Sequence, residues 1–327
     1  MRAAVVPAVH GRWEVREVPT PEPGPNQVLI RIRASGLCYT DVHITEGVLP
    51  TRFPRTLGHE PVGEIVALGA GVTTRRAGDR VGVPWSQGSC GRCEWCQRGK
   101  PLFCPEQVVT GLVTQGGHAE YMLANAAATV LIPEALSFEQ AAPIFCAGYT
   151  VWSGLRFGDP KPHERVAVVG VGGLGHLAVQ YAKAAGFPTI AVTHSRDKEK
   201  LIRGLGADDV VADGEALRAA GGADVILGTS NSYQATADAL KGLRPDGRLV
   251  VMGASGETLP ITSQFVFLRG RLIGSTQNNP EHLYEALDYA AKGKVKVIAE
   301  TYPLKEIDRA YERVADGSVR FRAVVTP

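Results

Sequence analysis

Arg165-Val166-Ala167-Val168-Val169-Gly170-Val171-Gly172-Gly173-Leu174-Gly175 is the stretch whose reading decides the fold. Four apolar residues lead straight into Gly170-x-Gly172-x-x-Gly175, a helical apolar period follows over 174–185, and Thr189-Ile190-Ala191-Val192 reads as the next strand. With 38 glycines in 327 residues, such a triplet is easily met by chance, so its setting carries the weight. Between a strand and the start of a helix, glycines let backbone N–H groups approach a pyrophosphate at the helix N-terminus. Dinucleotide binding through Gly170, Gly172, Gly173, Leu174 and Gly175 is therefore expected.

Outward from this loop, 224–227 and 248–252 read as strands and 233–243 as a helix between them. Repeated βαβ units predict an α/β, doubly wound parallel sheet of Rossmann type. The first half has a different texture. Residues 28–33 alternate, 63–68 form another apolar run, and Gly82-Val83-Pro84 marks a turn, so a mainly antiparallel β domain is expected there. Gly36 and Gly58 are read as turns. Past residue 281 come an amphipathic helix, 282–291, and a strand, 322–325. The expected division is 1–150 with 281–327 as one domain and 151–280 as the other.

Composition narrows the function. Hydrophobic residues make up 44% and charged residues 21%, the balance of an ordinary globular chain. Thirty-five basic against 33 acidic residues leave +2, without the basic excess or stripe of a nucleic-acid binder. Apolar runs fall far short of the roughly 20 residues a bilayer span needs, and Met1 to Pro7 lacks a signal-peptide core. A cytoplasmic chain with reduced thiols is expected. Four of its six cysteines, Cys90-x2-Cys93-x2-Cys96-x7-Cys104, then read as a structural zinc loop, since four thiolates close a tetrahedral sphere. Cys38, the pair His59-Glu60 and Cys146 form a second candidate set. Two thiolates and one imidazole leave a fourth position open, as a catalytic zinc requires, although each residue alone could equally be a core residue.

At this point the chain resembles the zinc-dependent medium-chain alcohol dehydrogenases over essentially its whole length. Gly58-His59-Glu60-Pro61-Val62-Gly63 with Gly69 is similar to that family's zinc signature, Cys38-Tyr39-Thr40-Asp41-Val42-His43 to its first ligand loop, and Phe145-Cys146-Ala147-Gly148-Tyr149-Thr150 to its third-ligand helix. The resemblance implies a GroES-like catalytic domain beside the Rossmann domain, two zinc ions per chain, and Cys38, His59 and Cys146 around the catalytic one. It further implies that Glu60 approaches the metal during ligand exchange and that Asp41 orients His59. Thr40 and then His43 would relay the substrate proton, Thr150 would contact the nicotinamide, and Arg322 the pyrophosphate. Trp85 would wall the substrate pocket; a plain core tryptophan and, for His43, an exposed loop histidine are the alternatives.

One departure bears on the coenzyme. Where NAD enzymes of this class place Asp after the second Rossmann strand, this chain has Thr193-His194-Ser195-Arg196. Without that carboxylate a 2′-phosphate meets no repulsion, and Arg196 can bond it, so NADP is expected over NAD, with Thr193 and Ser195 near the ribose. Alternatively Arg196 opens a solvated helix with Asp197, Lys198 and Glu199. The expected activity is hydride transfer between NAD(P) and small primary alcohols or aldehydes by a homo-oligomer, tetramer or dimer, with no nucleic-acid or membrane partner. A zinc-free quinone or enoyl reductase on the same fold is the alternative, disfavoured by the complete ligand sets. A zinc ribbon that binds a macromolecule is another, disfavoured by the near-zero charge.

Overall fold

The computed structural model describes residues 1–195 and 198–327 and divides into two compact units, Met1–Cys146 with Val297–Pro327, and Ala147–Lys296. The second unit holds six parallel strands in the order Asp209–Val211, Thr189–Val192, Val166–Val169, Ala223–Gly228, Leu243–Val251, Arg271–Gly274. Numbered along the chain from Val166, that is 3-2-1-4-5-6, the doubly wound order of a dinucleotide-binding sheet. Val166–Val169 and Thr189–Val192 are buried at every position, as a sheet covered on both faces requires. The order reverses between Val166–Val169 and Ala223–Gly228, and the glycine loop leaves the sheet at that switch point.

The units part at Lys296/Val297 rather than at 280/281, and packing explains the difference. The helix Pro280–Ala291 rests on Ala147–Gly158: Trp152 Nε1 donates to Glu285 at 2.5 Å, and the Trp152 and Tyr289 rings are 4.8 Å apart. Tyr181, fully buried, donates its hydroxyl to Ala286 O at 3.0 Å. Two glutamines then mark the border. The Gln180 amide exchanges both hydrogen bonds with the Lys296 backbone, and the Gln140 amide does the same with Val297. The strand expected over 248–252 instead begins at Leu243 and absorbs Pro245-Asp246-Gly247 as an irregularity, with Asp246 at φ 60°. The expected helix over 233–243 is Tyr233–Asp238 followed by a 3-10 turn, Ala239–Gly242.

In the first unit Gln27–Leu37 is the central strand, antiparallel to Glu60–Leu68, Tyr121–Asn125 and Arg322–Thr326. Its first half alternates in burial, and Val28, Ile30 and Ile32 pack with Ile65, Val81, Val83 and Met122. From Ala34 onward every residue is buried, and Leu37 packs with Val42, Ile44, Leu57, Ile307 and Ala310. The last strand, Arg322–Thr326, pairs with Gln27–Leu37 on one side and, in parallel, with Ala299–Pro303 on the other. The chain terminus thus completes the sheet that carries the cysteine and histidine loops. No helix of the described residues is long and apolar enough to cross a membrane.

Candidate metal centres and coenzyme loop

Cys38 caps the helix Tyr39–Thr45, and Asp41, at the third helical position, reaches back so that one carboxylate oxygen accepts the Cys38 N–H at 2.9 Å. Its other oxygen accepts the Gly58 N–H at 3.2 Å and lies 3.6 Å from His59 Nδ1. One fully buried carboxylate therefore ties the Cys38 turn to the loop that presents His59. Gly58 is not a simple turn residue: at φ +100° it lets Gly117 and His118 lie against the loop, and a Cβ there would sit 2.8 Å from the His118 ring. Gly36 likewise sits inside a strand, where a Cβ would strike the Glu60 carboxylate.

The structure brings Cys38, His59, Glu60 and Cys146 together, with one potential ligand atom from each lying within 4.8 Å of all the others. Cys38 Sγ and Cys146 Sγ are 3.9 Å apart. A tetrahedral ion with sulfur at about 2.3 Å imposes S···S edges of roughly 3.8 Å, so the pair has the required span. His59 is 1% exposed, and neither ring nitrogen makes a hydrogen bond. Such an orphaned buried imidazole is costly unless something else satisfies it, and a cation on Nε2 with Asp41 behind Nδ1 does so. The donor set and the unpartnered histidine fit a zinc ion. Contact with the Cys146 thiol holds Cys38 well below the ordinary thiol range, and the same contact, with burial, pushes Cys146 up.

Glu60 and Arg322 sit at the edge of this set. Arg322, expected at a pyrophosphate, is 4% exposed, and its guanidinium donates to Glu60 Oε1. Burial pushes Glu60 up to about 7 while the Arg322 charge pulls it down. Thr40 Oγ1 lies 3.7 Å from Cys38 Sγ, and His43, three residues on, shares its helix face and stands edge-on to Tyr39 at 5.0 Å. Trp85 is half-buried and T-shaped against His59, with ring centroids 5.3 Å apart, the place of a pocket wall. Of the residues read from sequence, Cys38, Thr40, Asp41, His43, His59, Glu60, Trp85, Cys146 and Arg322 all belong to the first unit. Sequence reading passed over His118, which is fully buried behind Asp41; a lone histidine after two glycines gives no local sign of that partner.

The second sulfur cluster stands apart. Cys93 to Cys96, Cys104 to Cys90 and Cys90 to Cys96 are 3.5, 3.6 and 4.0 Å apart, close to tetrahedral edges. The backbone N–H groups of Cys93 and Cys90 point at Cys90 Sγ and Cys104 Sγ. Backbone donors at Arg92 and Cys93 bring the Cys90 thiol down to about 6. Neither short helix of this lobe, Glu94–Gln97 or Pro101–Phe103, buries a residue. With no apolar core of its own, the lobe depends on what the four sulfurs hold.

In the coenzyme unit, the helix Gly175–Ala184 opens with Leu174, which supplies no capping side chain; the His176 and Leu177 N–H groups already donate to Gly172 O and Leu174 O, so an anion would meet the glycine-loop N–H groups before them. A Cβ on Gly172 would meet nothing, whereas one on Gly175 would strike the Gly170 carbonyl, which assigns ligand approach to the first and packing to the second. Thr193 Oγ1 accepts the Ser195 N–H at 3.2 Å, and Thr150 is half-buried on Ala147–Gly158. Arg196 lies outside the described residues. A cavity of about 790 Å³ between Val18, Pro25, Arg55, Gln87 and Met122 contains none of these groups, so polar geometry rather than volume locates the site.

Residues 24–134 match the alcohol dehydrogenase GroES-like domain and residues 173–292 the zinc-binding dehydrogenase domain. An alcohol dehydrogenase of Geobacillus stearothermophilus is 42% identical over 99% of each chain. The chain belongs to the zinc-dependent medium-chain alcohol dehydrogenase family. Among solved structures, a cobalt- and zinc-bound thermostable alcohol dehydrogenase from Pyrobaculum aerophilum is 28% identical, covers 100% of this chain and 99% of its own, and superimposes with a TM-score of 0.90. A zinc-binding dehydrogenase from Sinorhizobium meliloti bound to NADP, also 28% identical over 100% and 99%, gives 0.89. The protein is therefore an alcohol dehydrogenase, an oxidoreductase of alcohols or aldehydes that works with a nicotinamide coenzyme.

Removing one partner of a buried ion pair leaves the other charge stranded, at about 3–5 kcal/mol, whereas removing both is far milder. Arg322→Met should therefore lower the melting temperature of this alcohol dehydrogenase by several degrees. The double variant Arg322→Met/Glu60→Gln should recover most of the loss in the same calorimetric scan.

Proposed function

We propose that this alcohol dehydrogenase is zinc-dependent, interconverts small primary alcohols and their aldehydes, and takes NADP in preference to NAD. The convergence of Cys38, His59 and Cys146 around a histidine with two unsatisfied nitrogens carries the reading. A zinc ion held there would supply the Lewis acidity that lowers the pKa of an alcohol hydroxyl towards neutrality. Thr40 would hold that hydroxyl, accept its proton and pass its own by way of the coenzyme ribose to His43, which lies on the same helix face, half-exposed to solvent. Glu60, kept in place by Arg322, stands ready beside the ligands during exchange. Trp85 narrows the space over His59 and favours small substrates. A nicotinamide coenzyme would supply the hydride acceptor, with Thr150 placed to contact its nicotinamide and the N–H groups of the glycine loop after Gly170 its pyrophosphate.

A second zinc belongs to the lobe of Cys90, Cys93, Cys96 and Cys104, where four sulfurs leave no place for substrate. The free edge strand Arg271–Gly274, with Leu272 half-exposed and Phe267 84% exposed nearby, supports a homo-oligomer, dimer or tetramer. Free thiols throughout support a reducing compartment, the cytoplasm. The alternative, a zinc-free quinone or enoyl reductase, has no use for either sulfur set.

Elemental analysis of the purified chain should find two zinc ions, and Cys93→Ser should contain one and melt at lower temperature with little change in the active site. A chain with one zinc or none, and unaltered melting in the variant, overturns the structural assignment. Thr40→Val should lower kcat about 10²- to 10⁴-fold while substrate binding persists. For the coenzyme, Arg196→Ala should raise the KM for NADPH roughly 10- to 150-fold and spare NADH, and Thr193→Asp should invert the preference. An unmodified enzyme that already prefers NADH refutes the NADP reading.

A further inference from the structure

His118 has no place in the chemistry above, yet it occupies a position in which an idle imidazole is hard to explain. It is 0% exposed, and neither ring nitrogen has a hydrogen-bond partner. A neutral imidazole always carries one N–H, and a buried N–H without an acceptor is disfavoured. The acid oxygen within reach is Asp41 Oδ1, 3.9 Å from His118 Nε2 and 3.6 Å from His59 Nδ1. The backbone fixes this arrangement: His118 N–H donates to Leu57 O at 3.1 Å and Gly117 N–H to Gly58 O at 2.8 Å. The ring also packs against Trp13, centroids 5.5 Å apart.

We propose that His118 is a positioning residue for the catalytic metal centre. It turns its Nε2–H to Asp41 Oδ1, the oxygen that also faces His59 Nδ1, and so helps fix the carboxylate that orients the His59 ring. The proposal rests on the zinc reading of Cys38, His59 and Cys146. Asp41 then has each contact accounted for: one oxygen takes the Cys38 N–H, and the other is shared by the Gly58 N–H and two imidazoles. Without His118, Asp41 Oδ1, the oxygen that also faces His59, loses one of the two imidazoles that face it, and a tilted His59 is a poorer ligand. Changes to groups that orient a metal-ligating histidine typically cost 10- to 100-fold in metal affinity.

The test replaces His118 in the full, zinc-loaded enzyme by Phe, which keeps the aromatic volume beside Trp13 and removes the donor. Zinc release to a chelator, the visible absorption bands of the cobalt-substituted enzyme, and thermal melting are then followed together. His118→Phe should raise the affinity constant's denominator, the zinc Kd of the catalytic site, about tenfold and shift the cobalt bands, whereas His118→Gln, which restores an N–H, should return both close to the parent values. If the Phe variant does not fold, His118→Met against His118→Gln makes the same comparison between side chains of equal length. Unchanged zinc Kd and cobalt bands in a variant that merely melts earlier overturn the proposal and leave His118 as packing. Parent enzyme that holds no zinc at Cys38, His59 and Cys146 overturns the zinc reading and this proposal with it, a result distinct from the first because it is seen before any substitution.

Discussion

A single buried carboxylate governs the arrangement of the first unit. Asp41 has no solvent exposure, and a carboxylate in that position is tolerated only if its lone pairs are occupied. Backbone N–H groups from Cys38 and Gly58 occupy two of them, and the His59 ring faces a third. These partners come from a helix start and from a distant loop, so satisfying one charge aligns two of the three segments that carry Cys38, His59 and Cys146 at once. Burial raises the cost of the ionised form, but the neighbouring imidazoles outweigh it, and Asp41 is held well below the ordinary carboxylate range.

The two sulfur clusters use the same element chemistry for opposite ends. Around Cys90, Cys93, Cys96 and Cys104 the chain has no buried helix face, so cohesion falls to the sulfurs and the backbone N–H groups aimed at them. Around Cys38 and Cys146 the opposite holds. That pair is set in a dense core, with Leu37, Ile144 and Phe145 at or near complete burial, and the fold holds the sulfurs 3.9 Å apart. A cluster that must hold its own loop is closed by four thiolates; one held by its surroundings can leave a position for substrate.

Much of this was legible in the sequence because the signals were local. The glycine loop lay between an apolar strand and an apolar-periodic helix, and the four-cysteine spacing declared its own loop. The family resemblance paired Thr40 with His43. Less was legible where polarity and packing conflict: Pro245-Asp246-Gly247 carries the composition of a turn, but the neighbouring strand Ala223–Gly228 holds the segment in register on both sides of an irregularity. The border of the units was likewise hidden, because the apolar face of Pro280–Ala291 does not reveal which sheet it will cover.

By itself the sequence determined the fold class, the residue types at both sulfur clusters and the family to which the enzyme belongs, since each is carried by short motifs that are local in the chain. Only the tertiary structure decided that Arg322 lies against Glu60, that His118 backs Asp41, and that the chain parts between Lys296 and Val297. Each joins residues far apart along the chain through a contact between single side chains or amides. Local periodicity carries no record of such partners, because which of many distant groups meets a buried charge is settled by strand pairing and packing, not by the residues on either side of it.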